Sequence, residues 1–192
     1  PETGLSLGIP LHGWGGLLYV SQRYSAKWRI VLMSLLYRQE IQSSDLGVIL
    51  NIVQSSGYFS REEVELACEL ATDRLENGQQ SSYQFLFAEN DGEIVGYTCY
   101  GLIPATAASY DLYWIAVSET SRGKKLGKML LQKTEEIIRG MGGKRLYAET
   151  SSRAQYASTQ KFYQNCGYIA EAVLKDFYAH CDSKIIYSKV LK

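Results

Sequence analysis

A chain of 192 residues can bury one sizeable core and is short for two. With 46% apolar and 21% charged residues it has the composition of a folded globular protein, which argues against disorder. Twenty Lys and Arg balance twenty Asp and Glu, so general attraction to nucleic acid or to an anionic membrane is disfavoured as the main activity. The four cysteines, Cys68, Cys99, Cys166 and Cys181, form no C-x-x-C pair, and His12 and His180 are the only histidines. No metal site assembles from such spacing, and reduced, mostly buried thiols in a cytoplasmic protein are the expectation. The longest apolar stretch, Trp28 to Leu36, is broken by Arg29 and Ser34 and falls well below the roughly 20 residues of a membrane span. No signal-peptide pattern is legible.

In chain order, residues 1–34 are rich in Gly and aromatics without a sustained period and read as an extension, vector-derived or left from an upstream segment. A folded domain is expected over 35–192. A strand is predicted near Leu35 to Ile41, then capping chemistry at Ser43, Ser44 and Asp45 and a helix with Leu46, Ile49, Leu50 and Val53 on one side. Ser60 and Glu63 form an S-x-x-E capping box for a second helix, with Val64, Cys68, Ala71 and Leu75 expected inside and Asn77-Gly78 at its end. Tyr83 to Ala88 and Glu93 to Ile103 flank Asn90-Asp91-Gly92, a hairpin turn in which Gly supplies a positive φ. Tyr110 to Val117 is a third strand. A helix from about Gly123 to Gly140 follows, with Leu126, Leu130, Ile137 and Met141 on its buried side. Lys144 to Thr150 reads as a strand, Gln155 to Cys166 as a helix stopped by Gly167, and Tyr168 to Val173 and Lys184 to Leu191 as two last strands. The order is β-αα-βββ-α-β-α-ββ, an α/β or α+β domain with one sheet covered by helices on both faces.

The chemistry-bearing stretch runs from Val117 through Arg122, Gly123, Lys124, Lys125, Leu126 and Gly127 to Lys128. A hydrophobic strand enters a loop, and the loop opens an amphipathic helix. Free N–H groups and the positive end of the dipole make such a helix start a site for phosphate oxygens. Four cations crowd a helix start that prefers carboxylates, each costing on the order of 0.3–1 kcal/mol. A bound polyanion would compensate them. The pattern G-x-x-x-x-G-K-[ST] of nucleotide-binding loops is absent.

Strand, then R-x-x-G-x-G/A, then helix resembles the acetyl-CoA pyrophosphate loop of the GNAT acetyltransferases. Arg122 takes the Arg/Gln position and Gly127 the final Gly/Ala position, while Lys125 stands where the family usually has its first Gly. If that position is left-handed, a lysine there costs roughly 1–2 kcal/mol. The stretch Tyr156 to Tyr168, with Phe162-Tyr163 followed by Gly167-Tyr168, resembles the family's later helix ending in FY-x-x-x-G-F/Y. Many members have Asn where this chain has Tyr156, so no contact of that Asn is carried over.

The resemblance covers about residues 35 to 191 and implies a mixed, mostly antiparallel sheet of about six to seven strands. It implies transfer of acetyl from acetyl-CoA to a primary amine of a small molecule, amino acid or peptide, with no metal. The backbone of Ile115, Ala116 and Val117 would hold the pantetheine arm, with Val117 N–H polarising the thioester carbonyl. Tyr163 would be the general acid. Glu149 is the first choice of base and Asp111 the second. Tyr113, Tyr156 and Tyr178 are candidates to shape the acceptor site, and His180 is placed in a loop from Tyr178 to Ser183. Cys166 and Cys181 read as packing residues rather than nucleophiles. The stretches Tyr113 to Val117, Glu149 to Ser152 and Asp176 to Ala179 resemble a bacterial subgroup linked to D-alanine–D-alanine-ligase-like proteins. A homodimer and association with such an ATP-grasp protein are therefore open expectations. A rival reading is an acyl-CoA-binding sensor without turnover.

Overall fold

The structure, a computed structural model, describes residues 35–192. The expected extension over 1–34 lies outside the described residues. The strands are β1 (Leu36–Arg38), β2 (Gln84–Asn90), β3 (Glu93–Leu102), β4 (Ser109–Val117), β5 (Arg145–Ser151), β6 (Ile169–Ala179) and β7 (Asp182–Val190). The helices are α1 (Asp45–Ser55), α2 (Arg61–Asn77), α3 (Leu126–Gly140) and α4 (Ala157–Asn165). The element order is the expected one. All seven strands form one sheet, β1-β2-β3-β4-β5-β7-β6. Each neighbouring pair is antiparallel except β4 and β5, which run parallel. A parallel pair needs a crossover, and α3 supplies it.

Period-two alternation sends successive residues of β2 to opposite faces. Phe85 and Phe87 join Tyr97 and Cys99 under α1 and α2, which contribute Ile49, Val53, Ala67, Leu70 and Ala71. Leu86 points the other way and joins Tyr100, Leu112, Leu146 and Tyr187 under α3 and α4, which bring Leu126, Leu130, Leu131, Ile138 and Tyr163. The sheet thus has a core on each face.

Two local signals held, while the cap expected at Ser43, Ser44 and Asp45 did not form: Ser44 makes no side-chain cap, and Asp45 instead accepts from Gln42 N at 2.7 Å and pairs with Arg38. Ser60 Oγ accepts from Glu63 N (3.2 Å) and Glu63 Oε2 from Ser60 N (2.7 Å), which completes the capping box. Asp91 and Gly92 take φ of 52° and 83° at the β2–β3 turn, the two positive values a tight hairpin turn requires.

Helix faces differ from expectation. In α2 the buried residues are Val64, Ala67, Leu70 and Ala71, while Cys68 and Leu75 sit at the border. In α1, Ile49, Ile52 and Val53 are buried and Leu50 faces out. In α3, Met141 lies beyond the helix end and exposed, Ile137 is half-buried, and polar Thr134 and Glu135 complete the inner face. Thr134 Oγ1 meets Thr98 Oγ1 at 2.8 Å and donates to Leu130 O. Glu135 accepts from Tyr168 OH at 3.0 Å and pairs with Lys189 at 2.7 Å. These polar groups are buried because they are partnered, and an apolar-stripe rule does not find them.

The thiols also depart from expectation. Only Cys99 is buried; Cys68 and Cys166 are half-buried and Cys181 is exposed. The last strands are longer than expected, reaching Ala179 and starting again at Asp182, so His180 and Cys181 form a two-residue turn rather than part of a six-residue loop. Asp176, at φ 53°, bends β6 and accepts from Cys181 N at 2.7 Å. This irregularity breaks the alternation by which a strand is recognised. Among the described residues no helix is long and apolar enough to cross a membrane, and no group of His, Cys, Asp and Glu is placed to hold a metal ion.

Candidate active site

The site begins where two parallel strands part. β4 and β5 are paired from Ser109–Arg145 to Leu112–Ala148 and no further, although β4 continues to Val117 and β5 to Ser151. On the other side of β4, Ser118 N donates to Val95 O at 2.9 Å. Amides alternate in direction along a strand, so Val117 N–H points away from β3, into the gap, and Ile115 N–H does likewise. A cleft of about 1060 Å³ opens there, lined by Ile115, Ala116 and Val117 of β4 and by Glu149 of β5.

One end of the gap meets the loop before α3. The chain makes a short turn over Glu119–Ser121, then Arg122 is extended, Gly123 has φ +74° and Lys125 has φ 63° and ψ 11°. Two left-handed residues cannot belong to a right-handed helix, so α3 starts at Leu126 and not near Gly123. Met129 N donates to Lys125 O at 3.1 Å and closes the first turn. The amides of Leu126, Gly127 and Lys128 then have no acceptor within the helix. Alternating handedness around a helix start gathers N–H groups into an anion-binding concavity. The first turn of α3 carries no acidic residue, while Arg122, Lys124, Lys125 and Lys128 flank it. A diphosphate fits this donor set. A methyl at Gly127 would stand 3.6 Å from the Phe162 ring and 3.8 Å from Val117, so this position brings the helix start against β4 and α4 and tolerates Ala as readily as Gly. Lys125 does occupy the left-handed position. Lys125→Gly is expected to stabilise the chain by about 1 kcal/mol, raising Tm by about 2–4 °C, as differential scanning calorimetry would measure.

Tyr163 of α4 borders the cleft from the α3 side of the sheet. Its ring stacks on Tyr187 at 5.5 Å and tilts against Tyr168 at 5.5 Å. Burial holds its phenol well above the ordinary value, so it keeps its proton across the neutral range.

Asp111 and Glu149 share the opposite face. Asp111 pairs with Tyr147 in the ladder, and Glu149 lies two residues further along β5. Glu149 is exposed and ion-paired with Lys184. The Asp111 carboxyl is raised first by burial and then by the charge of Glu149, with Lys184 opposing. Its folded value therefore exceeds its unfolded one, so stability declines as pH rises through that interval. Asp111→Asn removes the charge. Its Tm is expected to exceed that of the native chain at pH 7, with the gap closing near the ordinary carboxylate value of 3.8.

Tyr113, Tyr156 and Tyr178 all line the cleft. Tyr178 is pushed up to about 12 by burial and by Glu149 and Asp182. His180, Cys166 and Cys181 do not line it. Residues that the sequence did not mark as part of a site also line it: Tyr58, Phe59 and Glu63 around the α1–α2 connection, and Trp114, whose ring lies 4.9 Å from Phe59. Arg122 reaches over the Tyr58 ring at 5.5 Å, and Tyr156 OH donates to Tyr58 O at 3.1 Å. Nothing local marks these two contacts, because contacts across 64 and 98 positions of sequence are made only on folding.

The family model described as the GNAT acetyltransferase family matches residues 49–168. No curated protein matches the sequence. Among solved structures, a candidate GNAT acetyltransferase from Desulfovibrio desulfuricans is 41% identical, with 83% of this chain and 100% of that chain covered and a TM-score of 0.81. The ribosomal-protein-S18-alanine N-acetyltransferase of Escherichia coli is 17% identical (82% and 94% covered, TM-score 0.65), and an aminoglycoside 6′-N-acetyltransferase complexed with coenzyme A is 16% identical (82% and 97%, TM-score 0.64). At that distance these two speak for the fold alone. The parted strands, the cationic helix start and the 120-residue family match (residues 49–168) lead to one conclusion: this chain belongs to the GNAT family of acetyl-CoA-dependent N-acetyltransferases.

Proposed function

We propose that residues 35–192 transfer acetyl directly from acetyl-CoA to a primary amine of a small molecule, amino acid or peptide, without an acyl-enzyme. The observation that carries this reading is the gap between β4 and β5, with the amide of Val117 turned into it and Tyr163 and Glu149 on its walls. Acetyl-CoA supplies the acetyl group as a thioester. The segment Arg122, Gly123, Lys124, Lys125, Leu126, Gly127 and Lys128 binds the diphosphate through backbone amides and cations. Ile115, Ala116 and Val117 hold the pantetheine arm as an added strand would be held. Val117 N–H donates to the carbonyl oxygen, where negative charge develops as the amine attacks.

Glu149 takes a proton from the incoming ammonium. The nitrogen forms the new C–N bond, the C–S bond breaks, and Tyr163 OH delivers a proton to the departing sulfur. The second proton, lost from the nitrogen as the amide forms, restores the phenol, and Glu149 passes the first to solvent. Holding both reactants in one cleft supplies a large share of the acceleration. The homodimer and the ligase-like partner rest on the resemblance alone, and the cytoplasmic location on the scattered cysteines.

The test is release of free CoA thiol from acetyl-CoA by the purified chain, read over a panel of amines, amino acids and peptides, alongside the Tm shift. Acetyl-CoA is expected to raise Tm by mass action and thiol release to depend on amine. Stabilisation without release over the whole panel would instead support a sensor.

A further inference from the structure

Of the four cations around the start of α3, Arg122 alone has an aromatic seat among the described residues: its guanidinium carbon lies over the Tyr58 ring, 5.5 Å from the centroid. Arg122 is exposed, and an exposed arginine without such a seat samples many rotamers. A guanidinium drawn to a ring by its charge uses none of its five N–H donors on that contact. They remain free for phosphate oxygens, which the planar fork matches.

Tyr58 is itself held. Gly57, at φ +67°, turns the chain out of α1, and Tyr58 N donates to Ser56 Oγ at 3.2 Å. From the connection before α4, Tyr156 OH donates to Tyr58 O at 3.1 Å. Tyr156 is 7% exposed and so a firm anchor. The Arg153 guanidinium lies over the Tyr156 ring at 5.5 Å and pairs with Asp182 at 3.0 Å. Three connections, before α2, before α3 and before α4, thus meet at Tyr58, and Tyr58, Arg122 and Tyr156 all line the cleft. The meeting is not core packing, because the Tyr58 ring is 42% exposed and belongs to neither core. Tyr156 stands where many members of the family have Asn, so the family pattern does not supply this clasp.

We propose that Tyr58 is a positioning residue for the cofactor: its ring, anchored through Tyr156, holds the Arg122 guanidinium in place for the diphosphate of acetyl-CoA. The gain is preorganisation. Immobilising one rotamer-rich side chain on binding weakens affinity by about twofold to tenfold, and here the ordering is done when the chain folds. The proposal rests on the reading that the segment from Arg122 to Lys128 binds the diphosphate, and it adds to that segment a residue 64 positions away.

Titration calorimetry of the full chain with acetyl-CoA tests this without any acceptor amine. Tyr58→Leu is expected to raise Kd about fivefold, with Tm little changed because the ring lies outside both cores. Tyr58→Phe keeps the aromatic face and is expected to stay within about twofold of the native Kd. Tyr156→Phe loses only the bond to Tyr58 O and is expected to raise Kd about threefold. The deciding measurement is the double variant. With Arg122→Ala there is no guanidinium to hold, so adding Tyr58→Leu is expected to change Kd by less than about twofold. A full further loss in that background overturns the proposal and assigns Tyr58 to direct contact with the cofactor. Native affinity in Tyr58→Leu overturns it as well, and so does a Tyr58→Phe as weak as Tyr58→Leu. In each of these cases the native chain still binds acetyl-CoA, and the acetyl-transfer reading stands. Failure of the native chain to bind acetyl-CoA removes both.

Discussion

Tyr163→Phe is expected to lower kcat by about 10²–10⁴-fold, the range of a positioned general acid, and to leave KM for acetyl-CoA within about twofold. The reason lies in how the ring is held. Tyr163 packs on Tyr187 and Tyr168 through its faces, and phenylalanine keeps those contacts, so Tm should hardly change. Burial keeps the phenol protonated, so a proton is always available at the cleft. The same burial makes it a weaker acid than free tyrosine, and the transfer must be drawn by the basicity of the departing thiolate. Steady-state kinetics with thiol detection measure both constants. Equal losses in turnover and cofactor affinity would return Tyr163 to the role of a packing residue.

Gly101→Ala is expected to be the most damaging small change near the site. A Cβ at Gly101 would lie 2.2 Å from Ser82 O and 3.1 Å from the Tyr113 ring. The first neighbour is backbone and cannot rotate aside. Overpacking of this kind costs about 1–3 kcal/mol, or about 2–12 °C in Tm for a domain of this size. Gly101 also faces Asp111 across the β3–β4 ladder, beside the irregularity between Cys99 and Tyr100. The strain therefore falls on the wall of the cleft as well as on the core. Paired calorimetry and kinetics should show acetyl transfer to the best acceptor declining together with Tm. An unchanged Tm would mean that the Ser82 backbone shifts freely, contrary to its place at the entry to β2.

The element order, the capping box at Ser60 and Glu63 and the turn at Asp91-Gly92 were legible because each depends on residues a few positions apart. The loop from Arg122 to Lys128 and the helix carrying Tyr163 were legible for the same reason, being short continuous motifs. Lys125 shows the boundary of such reading. The motif identified a position where a left-handed backbone is expected, and only the fold shows that the lysine adopts it, with φ 63°. The helix consequently begins three residues later than the amphipathic pattern suggests.

Which side of each helix is buried was less legible. Thr134 and Glu135 enter the core only because Thr98, Tyr168 and Lys189 arrive from elsewhere to satisfy them, and a stripe rule counts such residues as surface. Part of the cleft wall was hidden, since Tyr58 and Phe59 belong to a connection with no motif of its own. Asp111 and Glu149 could be named from the sequence as acids at strand positions. Their difference, one half-buried without an ion pair among the described residues and one exposed and paired with Lys184, depends on a strand that arrives 35 residues after Glu149. Sequence alone thus determined the elements, their order and the two motifs of the cofactor side, because short-range geometry and hydrogen bonding specify these. Tertiary structure alone decided where β4 and β5 part, which amides face the gap and which carboxylate is ion-paired, because burial and Coulomb interaction depend on distances that only the packed chain defines.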